Sequence, residues 1–150
     1  MGIHPKIGIT GLPRSGKSAV LEKVVSMITE ERKQEKRARN EDPNLKPIVG
    51  GMKTRTIMED GQRVGFECVD IVTGDSAVMA HREIDSRTRI LGYGINAEAL
   101  DEIGVAAIQR TMDECELLVV DEIGKFSVES EEFVEIVREA LKADMPTILT

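Results

Sequence analysis

Gly11-Leu12-Pro13-Arg14-Ser15-Gly16-Lys17-Ser18 follows the short apolar run Lys6-Ile7-Gly8-Ile9-Thr10 and opens a stretch with helical spacing. It satisfies every constrained position of the pattern G-x-x-x-x-G-K-[ST]. Each constraint has its own physical reason. Glycine permits the tight backbone path that turns successive N–H groups inward around an anion. The helix that follows aims its unsatisfied donors and its dipole at the same point. Lys17 reaches the β- and γ-phosphates as a point charge, and the Ser18 hydroxyl suits Mg2+. Nucleotide contacts are therefore expected from Gly11, Leu12, Pro13, Arg14, Ser15, Gly16, Lys17, Ser18 and Ala19, with Arg14 and Ser15 acting through their backbone N–H groups. A glycine-rich turn with an incidental lysine would lack this frame of strand before and amphipathic helix after.

Working outward, residues 19–36 read as a helix burying Val20, Leu21, Val24, Val25 and Ile28. Residues 40–47, with two prolines, form a connection. Residues 48–54 read as a strand, Glu59-Asp60-Gly61-Gln62 as a turn, 64–72 as a strand, Thr73-Gly74-Asp75 as another turn, and 76–80 as a further strand. Asn96 is placed to cap a helix over 97–114 with Leu100, Ile103, Ala107 and Ile108 on its buried stripe. Leu117-Leu118-Val119-Val120 is the most apolar run and predicts a central strand. Ser130 is placed to cap a helix burying Phe133, Ile136, Val137 and Leu141, and residues 146–150 begin another strand. Strands alternating with helices predict an α/β fold: a mostly parallel sheet flanked by helices, with an antiparallel β-hairpin insertion. Residues 1–150 form one domain. Because a parallel strand normally continues into a covering helix, a C-terminal segment beyond Thr150 is expected.

Composition removes several function classes. With 41% apolar and 31% charged residues, 150 residues suffice for one soluble core. No apolar run is long enough to span a bilayer, and the N-terminus lacks a secretory pattern, so the expectation is a cytoplasmic protein without a membrane partner, monomeric by default. A net charge of −7 argues against nucleic acid as a partner, and only 3% aromatic residues argue against a base-stacking platform. The basic stretch from Arg32 to Arg39 is interleaved with glutamate and reads as a solvated helix end. Cys68 and Cys115 form no CxxC and are expected reduced. The isolated His4 and His81 are assigned neither to catalysis nor to metal.

A triphosphate bound with Mg2+ requires a carboxylate near the metal. Asp121-Glu122 ends the apolar run at 117–120, at the sheet edge where ligands bind in open α/β folds. Asp121 is assigned to Mg2+, largely through water, and Glu122 to orienting or deprotonating the attacking water. Lys17 and Glu122 are the expected catalytic pair, and Ser18 and Asp121 the metal ligands. Asp121-Glu122-Ile123-Gly124 also fits the D-x-x-G pattern of small GTPases. No N-K-x-D guanine-reading motif follows through Thr150, and the Asp-Glu doublet favours enzymes with a glutamate beside the metal aspartate.

The phosphate loop, a Gly50-Gly51-x-x-Thr54 strand, Gly61-Gln62-Arg63-Val64-Gly65-Phe66, Gly92-Tyr93-Gly94-Ile95-Asn96 and Val120-Asp121-Glu122-Ile123-Gly124-Lys125 together resemble the THEP1-type nucleoside-triphosphatases, P-loop NTPases, in order and spacing from about residue 6 to residue 150. The resemblance implies a RecA-like fold and Mg2+-dependent hydrolysis of ATP, GTP and other triphosphates to diphosphates, slow and tolerant of the base. It also implies a C-terminal extension. Three departures stand out: Met52-Lys53 where an aromatic pair is usual, Arg55 and Met58 where an acid and an arginine are usual, and Phe126-Ser127 where Met-Glu is common. Arg63 and Lys125 fit the family pattern and stand either near the phosphates or in surface ion pairs. Tyr93 is suited either to stacking on a base or to anchoring its loop. An arginine that stabilises the transition state could come from Arg55, Arg63 or the C-terminal extension. Two rival activities share the loop: a small-molecule or nucleotide kinase, and a nucleotide-dependent switch or RNA-processing partner with negligible turnover.

Overall fold

The computed structural model describes residues 4–12 and 15–150, so the expected contacts from Pro13 and Arg14 lie outside the described residues. Strand β1 (Lys6–Gly8) leads through the phosphate loop into helix α1 (Lys17–Ala38). Three longer strands and two short ones follow: β2 (Val49–Glu59), β3 (Gln62–Asp70), β4 (Ser76–His81), β5 (Arg89–Ile90) and β6 (Tyr93–Ile95). A continuous helical stretch comprises α2 (Ala97–Ala99), a π-helical turn (Leu100–Val105) and α3 (Ala106–Glu114). Strand β7 (Leu117–Asp121), helix α4 (Glu131–Lys142) and strand β8 (Thr147–Leu149) complete the fold. None of the described helices is long and apolar enough to cross a membrane.

One eight-stranded sheet runs β1-β8-β7-β2-β3-β4-β6-β5. The expected mostly parallel sheet is corrected to a mixed one. β1, β8, β7 and β2 are parallel neighbours, whereas every pairing from β2 through β3, β4 and β6 to β5 is antiparallel. The cause is local turn chemistry. Asp60 and Gly61 take positive φ (50° and 76°), reversing the chain in two residues, so β2 and β3 pair over most of their length. Leu91 and Gly92 (φ 53° and 84°) do the same between β5 and β6, two strands too short to register as periodic runs.

Helices cover both faces. Leu118 and Val120 of β7 join Met52, Cys68, Leu100, Ile108 and Phe133 in the larger core, against α3 and α4. Leu117 and Val119 point the other way and pack with Leu21 of α1 and Ile148. Each such buried side chain contributes roughly 1.5–3 kcal/mol. Gly50 lets α3 approach β2: a Cβ there would lie 2.3 Å from Thr111 Oγ1. At this depth the Cys68 thiol is pushed up to about 12 by burial and, less strongly, by the Asp70 charge, which keeps it protonated. Both cysteines are free, as expected.

Several helix and strand faces differ from the periodic reading. Val20 is 53% exposed because α1 turns that side outward, leaving Leu21 as its buried anchor. Leu141 is 41% exposed, and Ala140 takes the buried position. Asn96 precedes its helix without a side-chain cap bond, whereas the Ser130 hydroxyl accepts from Phe133 N–H at 3.0 Å, as expected. β1 is an edge strand rather than a buried one, with Ile7 45% exposed, since β8 is its one neighbour. It is held by Lys6, whose ammonium donates to the carbonyls of Ala140, Ala143 and Met145 (3.1, 2.7 and 2.6 Å) and to Thr147 Oγ1 at 3.2 Å, closing the end of α4.

The end of β3 is tied to α3 through a buried ion pair. Asp70 accepts from Arg110 and from the backbone N–H groups of Val72 (2.9 Å) and Thr73 (3.2 Å). Burial opposes the carboxylate, but the Arg110 hydrogen bond, the two N–H groups and the Arg110 charge outweigh it and hold the carboxyl below its ordinary 3.8. A carboxyl depressed in this way stabilises the fold above pH 3.8 and loses that contribution as pH falls through its folded pKa. Asp70→Asn is expected to cost about 1.5–3 kcal/mol at neutral pH. Thermal unfolding of the two proteins across pH should show the gap narrowing in acid; a gap independent of pH would contradict the ion pair as its source.

Candidate active site

The phosphate loop connects β1 to α1, and its geometry rests on Gly16. With φ 90° and ψ 17° Gly16 is left-handed, a conformation that side chains resist, and it immediately precedes the first helical residue, Lys17. Ser15 N–H donates to the Leu12 carbonyl at 3.1 Å, and Val20 N–H to the Gly16 carbonyl at 3.1 Å, closing the first helical turn. Gly11, Leu12, Ser15, Gly16, Ser18 and Ala19 are exposed, and Lys17 is part-buried. The first turn of α1 therefore presents free donors to solvent, as an anion site requires.

β7 ends beside this loop. Its last residue, Asp121, is in register with Lys53 of β2. Thr150, just past β8, donates its hydroxyl to Asp121 Oδ1 at 2.7 Å and fixes that carboxylate. The chain leaving β7 is tied down twice more: Ile123 N–H donates to the Thr150 carbonyl (2.9 Å), and Gly124 N–H to the buried Ser127 hydroxyl (2.9 Å). Glu122 is exposed on this pinned segment.

Lys17, Gly11 and Glu122 line one cleft of about 500 Å³, together with Thr150, Arg63 and Lys125. The expected catalytic pair is thus brought to a single site. Ser18 and Asp121, the expected metal ligands, adjoin Lys17 and Glu122 at the start of α1 and the end of β7 but do not themselves line the cleft, and no hydrogen bond joins them among the described residues. The far wall comes mainly from the antiparallel strands: Phe66 of β3 and Met79 of β4 line it, with Phe126 from the segment after β7. Phe66, Tyr93 and Phe126 pack ring against ring, with centroids 5.0–5.7 Å apart. Tyr93 is 8% exposed inside this cluster, with the Arg82 guanidinium over it and its hydroxyl donating to the Arg63 carbonyl at 3.4 Å. Of its two readings the loop anchor holds, and its ring has no free face for a base.

Two site residues were missed by sequence reasoning. Thr150 follows an apolar strand at the same sheet edge as Asp121, a signal that was legible in principle. Thr54 lines the cleft, while its hydroxyl exposes less than 1 Å² and has no hydrogen-bond partner among the described residues; no sequence pattern announces that. Arg55, by contrast, is held by Glu67, its cross-strand neighbour.

A sequence model of the family described as NTPase matches residues 6–150. Nucleoside-triphosphatase THEP1 of Methanosarcina barkeri is 34% identical over 143 residues, covering 95% of this chain and 74% of that protein. Among solved structures, THEP1 from the hyperthermophile Aquifex aeolicus superposes with a TM-score of 0.73 at 23% identity, covering 97% of this chain and 76% of that one. A human cancer-related nucleoside triphosphatase gives 0.71 at 19%, covering 99% and 75%. At such identities the structural likeness is one of fold, whereas the sequence match extends through both the phosphate loop and the Asp121-Glu122 edge. The chain belongs to the NTPase family.

Proposed function

We propose that this protein hydrolyses the β–γ anhydride of nucleoside triphosphates, with Mg2+ and with broad tolerance of the base. The observation that carries the proposal is the shared cleft of Lys17 and Glu122, a phosphate-binding cation facing a carboxylate able to take a proton. The relatives' names, which specify no base, and the enclosed ring of Tyr93 support the tolerance. In this reading the parallel half of the sheet is the RecA-like unit, and the antiparallel strands are an addition that walls the cleft.

The donor set fits Mg2+. A serine hydroxyl and a carboxylate are hard oxygen ligands, and among the described residues no cluster of three or more His, Cys, Asp or Glu could hold a metal unaided. So small a protein share suits a cation that keeps waters and phosphate oxygens as ligands. Ser18 and Asp121 would hold it, with Thr150 orienting the aspartate; once bound, it supplies neutralising charge to the phosphates. Glu122 accepts a proton from water as the water oxygen bonds to the γ-phosphorus. The anhydride P–O bond breaks, and its electron pair leaves on the diphosphate, whose charge Lys17 and the loop N–H groups stabilise.

Phosphate release from a panel of triphosphates, without an acceptor, tests the proposal. A kinase would release little until an acceptor hydroxyl was supplied, and a switch would bind tightly and barely turn over. Lys17→Ala is expected to abolish detectable triphosphate binding. Glu122→Gln should preserve binding and lower kcat by about 10²–10⁴-fold; undiminished turnover would remove Glu122 from its role. Thr150→Val frees Asp121 and should raise the Mg2+ concentration for half-maximal activity by about tenfold or more, read by titrating the metal at saturating nucleotide.

A further inference from the structure

Hydrolysis as proposed above places a second problem in the cleft. Glu122 brings negative charge beside a γ-phosphoryl group that is itself gaining charge on its equatorial oxygens, and Lys17 sits on the β-phosphate side. A cation on the nucleophile's side is needed. Among the described residues three candidates stand near: Arg55, Arg63 and Lys125.

Arg55 is spent. It lies opposite Glu67 in the β2–β3 register and is ion-paired to it, and it is not among the residues that line the cleft. Arg63 and Lys125 both line the cleft, and neither has a carboxylate within ion-pair distance among the described residues. Arg63 is the better fixed of the two. Its carbonyl accepts from Arg82 Nε (3.1 Å) and from the Tyr93 hydroxyl, which pins its backbone, and its guanidinium lies over the Phe66 ring, 5.6 Å from the centroid. Stacking on a ring that itself belongs to a packed aromatic cluster restricts the side chain before any ligand arrives, so less rotamer freedom is lost when it engages. A planar fork of N–H donors also matches two phosphoryl oxygens at once, which an ammonium cannot do.

We propose that Arg63 is the catalytic arginine of this site, supplied from the same chain, and that it binds the γ-phosphoryl oxygens in the transition state. Phe66 is its platform, and the Arg82–Tyr93 contacts set its position.

The test compares Arg63→Ala and Arg63→Lys with wild type, using Arg55→Gln and Glu122→Gln as controls. Steady-state hydrolysis, binding of a non-hydrolysable triphosphate, and trapping of nucleoside diphosphate with Mg2+ and aluminium fluoride are measured for each. Both Arg63 variants are expected to lose about 10³-fold or more in kcat, to bind the non-hydrolysable triphosphate within about threefold of wild type, and to fail to trap the fluoroaluminate complex. Arg55→Gln should trap it normally. Because Arg63 is exposed, its removal should leave the melting temperature nearly unchanged. Arg63→Ala with near-normal kcat and normal trapping overturns the assignment, as does a loss confined to ground-state binding. If the wild-type protein releases no phosphate from any triphosphate, the hydrolytic reading of the whole cleft fails; if it turns over and the Arg63 variants behave as wild type while Glu122→Gln does not, that reading stands without Arg63.

Discussion

Everything in this fold is arranged around a five-residue strand that has no exposed face. β7 lies between β2 and β8, with Leu118 and Val120 sealed under α3 and α4 and Leu117 and Val119 sealed under α1. Such a strand can carry no charge along its length, because burying an unpaired carboxylate costs far more than any nearby contact returns. Its polar chemistry is therefore confined to the point where it leaves the sheet, at Asp121 and Glu122. The phosphate loop meets the same edge because β1 and β7 both run parallel to β8, so their C-terminal ends open on one side. Burial of β7 and placement of the site are one constraint seen twice.

That constraint also explains which parts of the molecule were legible in advance. A run such as Leu117–Val120 and a loop such as Gly11–Ser18 are set by local chemistry, and both stand where the sequence predicts. The Asp60-Gly61 reversal was equally readable, because few residues accept positive φ in succession. Sheet proportion was not. Whether the sheet continues parallel or antiparallel past β2 depends on how far a hairpin extends and on strands of two and three residues that leave no periodic trace. Periodicity likewise marked Val20 and Leu141 as buried because it reports a helix face and not whether another element covers it. For Tyr93, only tertiary packing could decide between a free ring and an enclosed one.

The antiparallel half gives the cleft a rigid far wall. Three of the chain's four aromatic rings meet there, from β3, from β6 and from the segment after β7. Phe126 is four residues past Glu122, so the same cluster that closes the wall also anchors the loop carrying Glu122. Ser127 fixes the loop from within through its side-chain hydroxyl, which accepts from Gly124 N–H. Glu122 is thereby exposed yet held at both flanks, in contact with water and with little freedom to wander, which suits the proton-accepting role proposed for it.

Thr54 shows the opposite economy. Its hydroxyl is buried without a partner among the described residues, on the strand beside Asp121, a state that costs roughly 1–3 kcal/mol. Its neighbours do not relieve it: Lys53 and Arg55 are exposed, and the Arg55 charge is committed to Glu67. A group left unsatisfied where the cleft wall meets the end of β7 is destabilising, and with less than 1 Å² of its oxygen exposed the cost stays with the protein. Gly16, left-handed just before α1, likewise leaves the first N–H groups of that helix without partners within it, and these open donors are what the proposed phosphate contacts rest on.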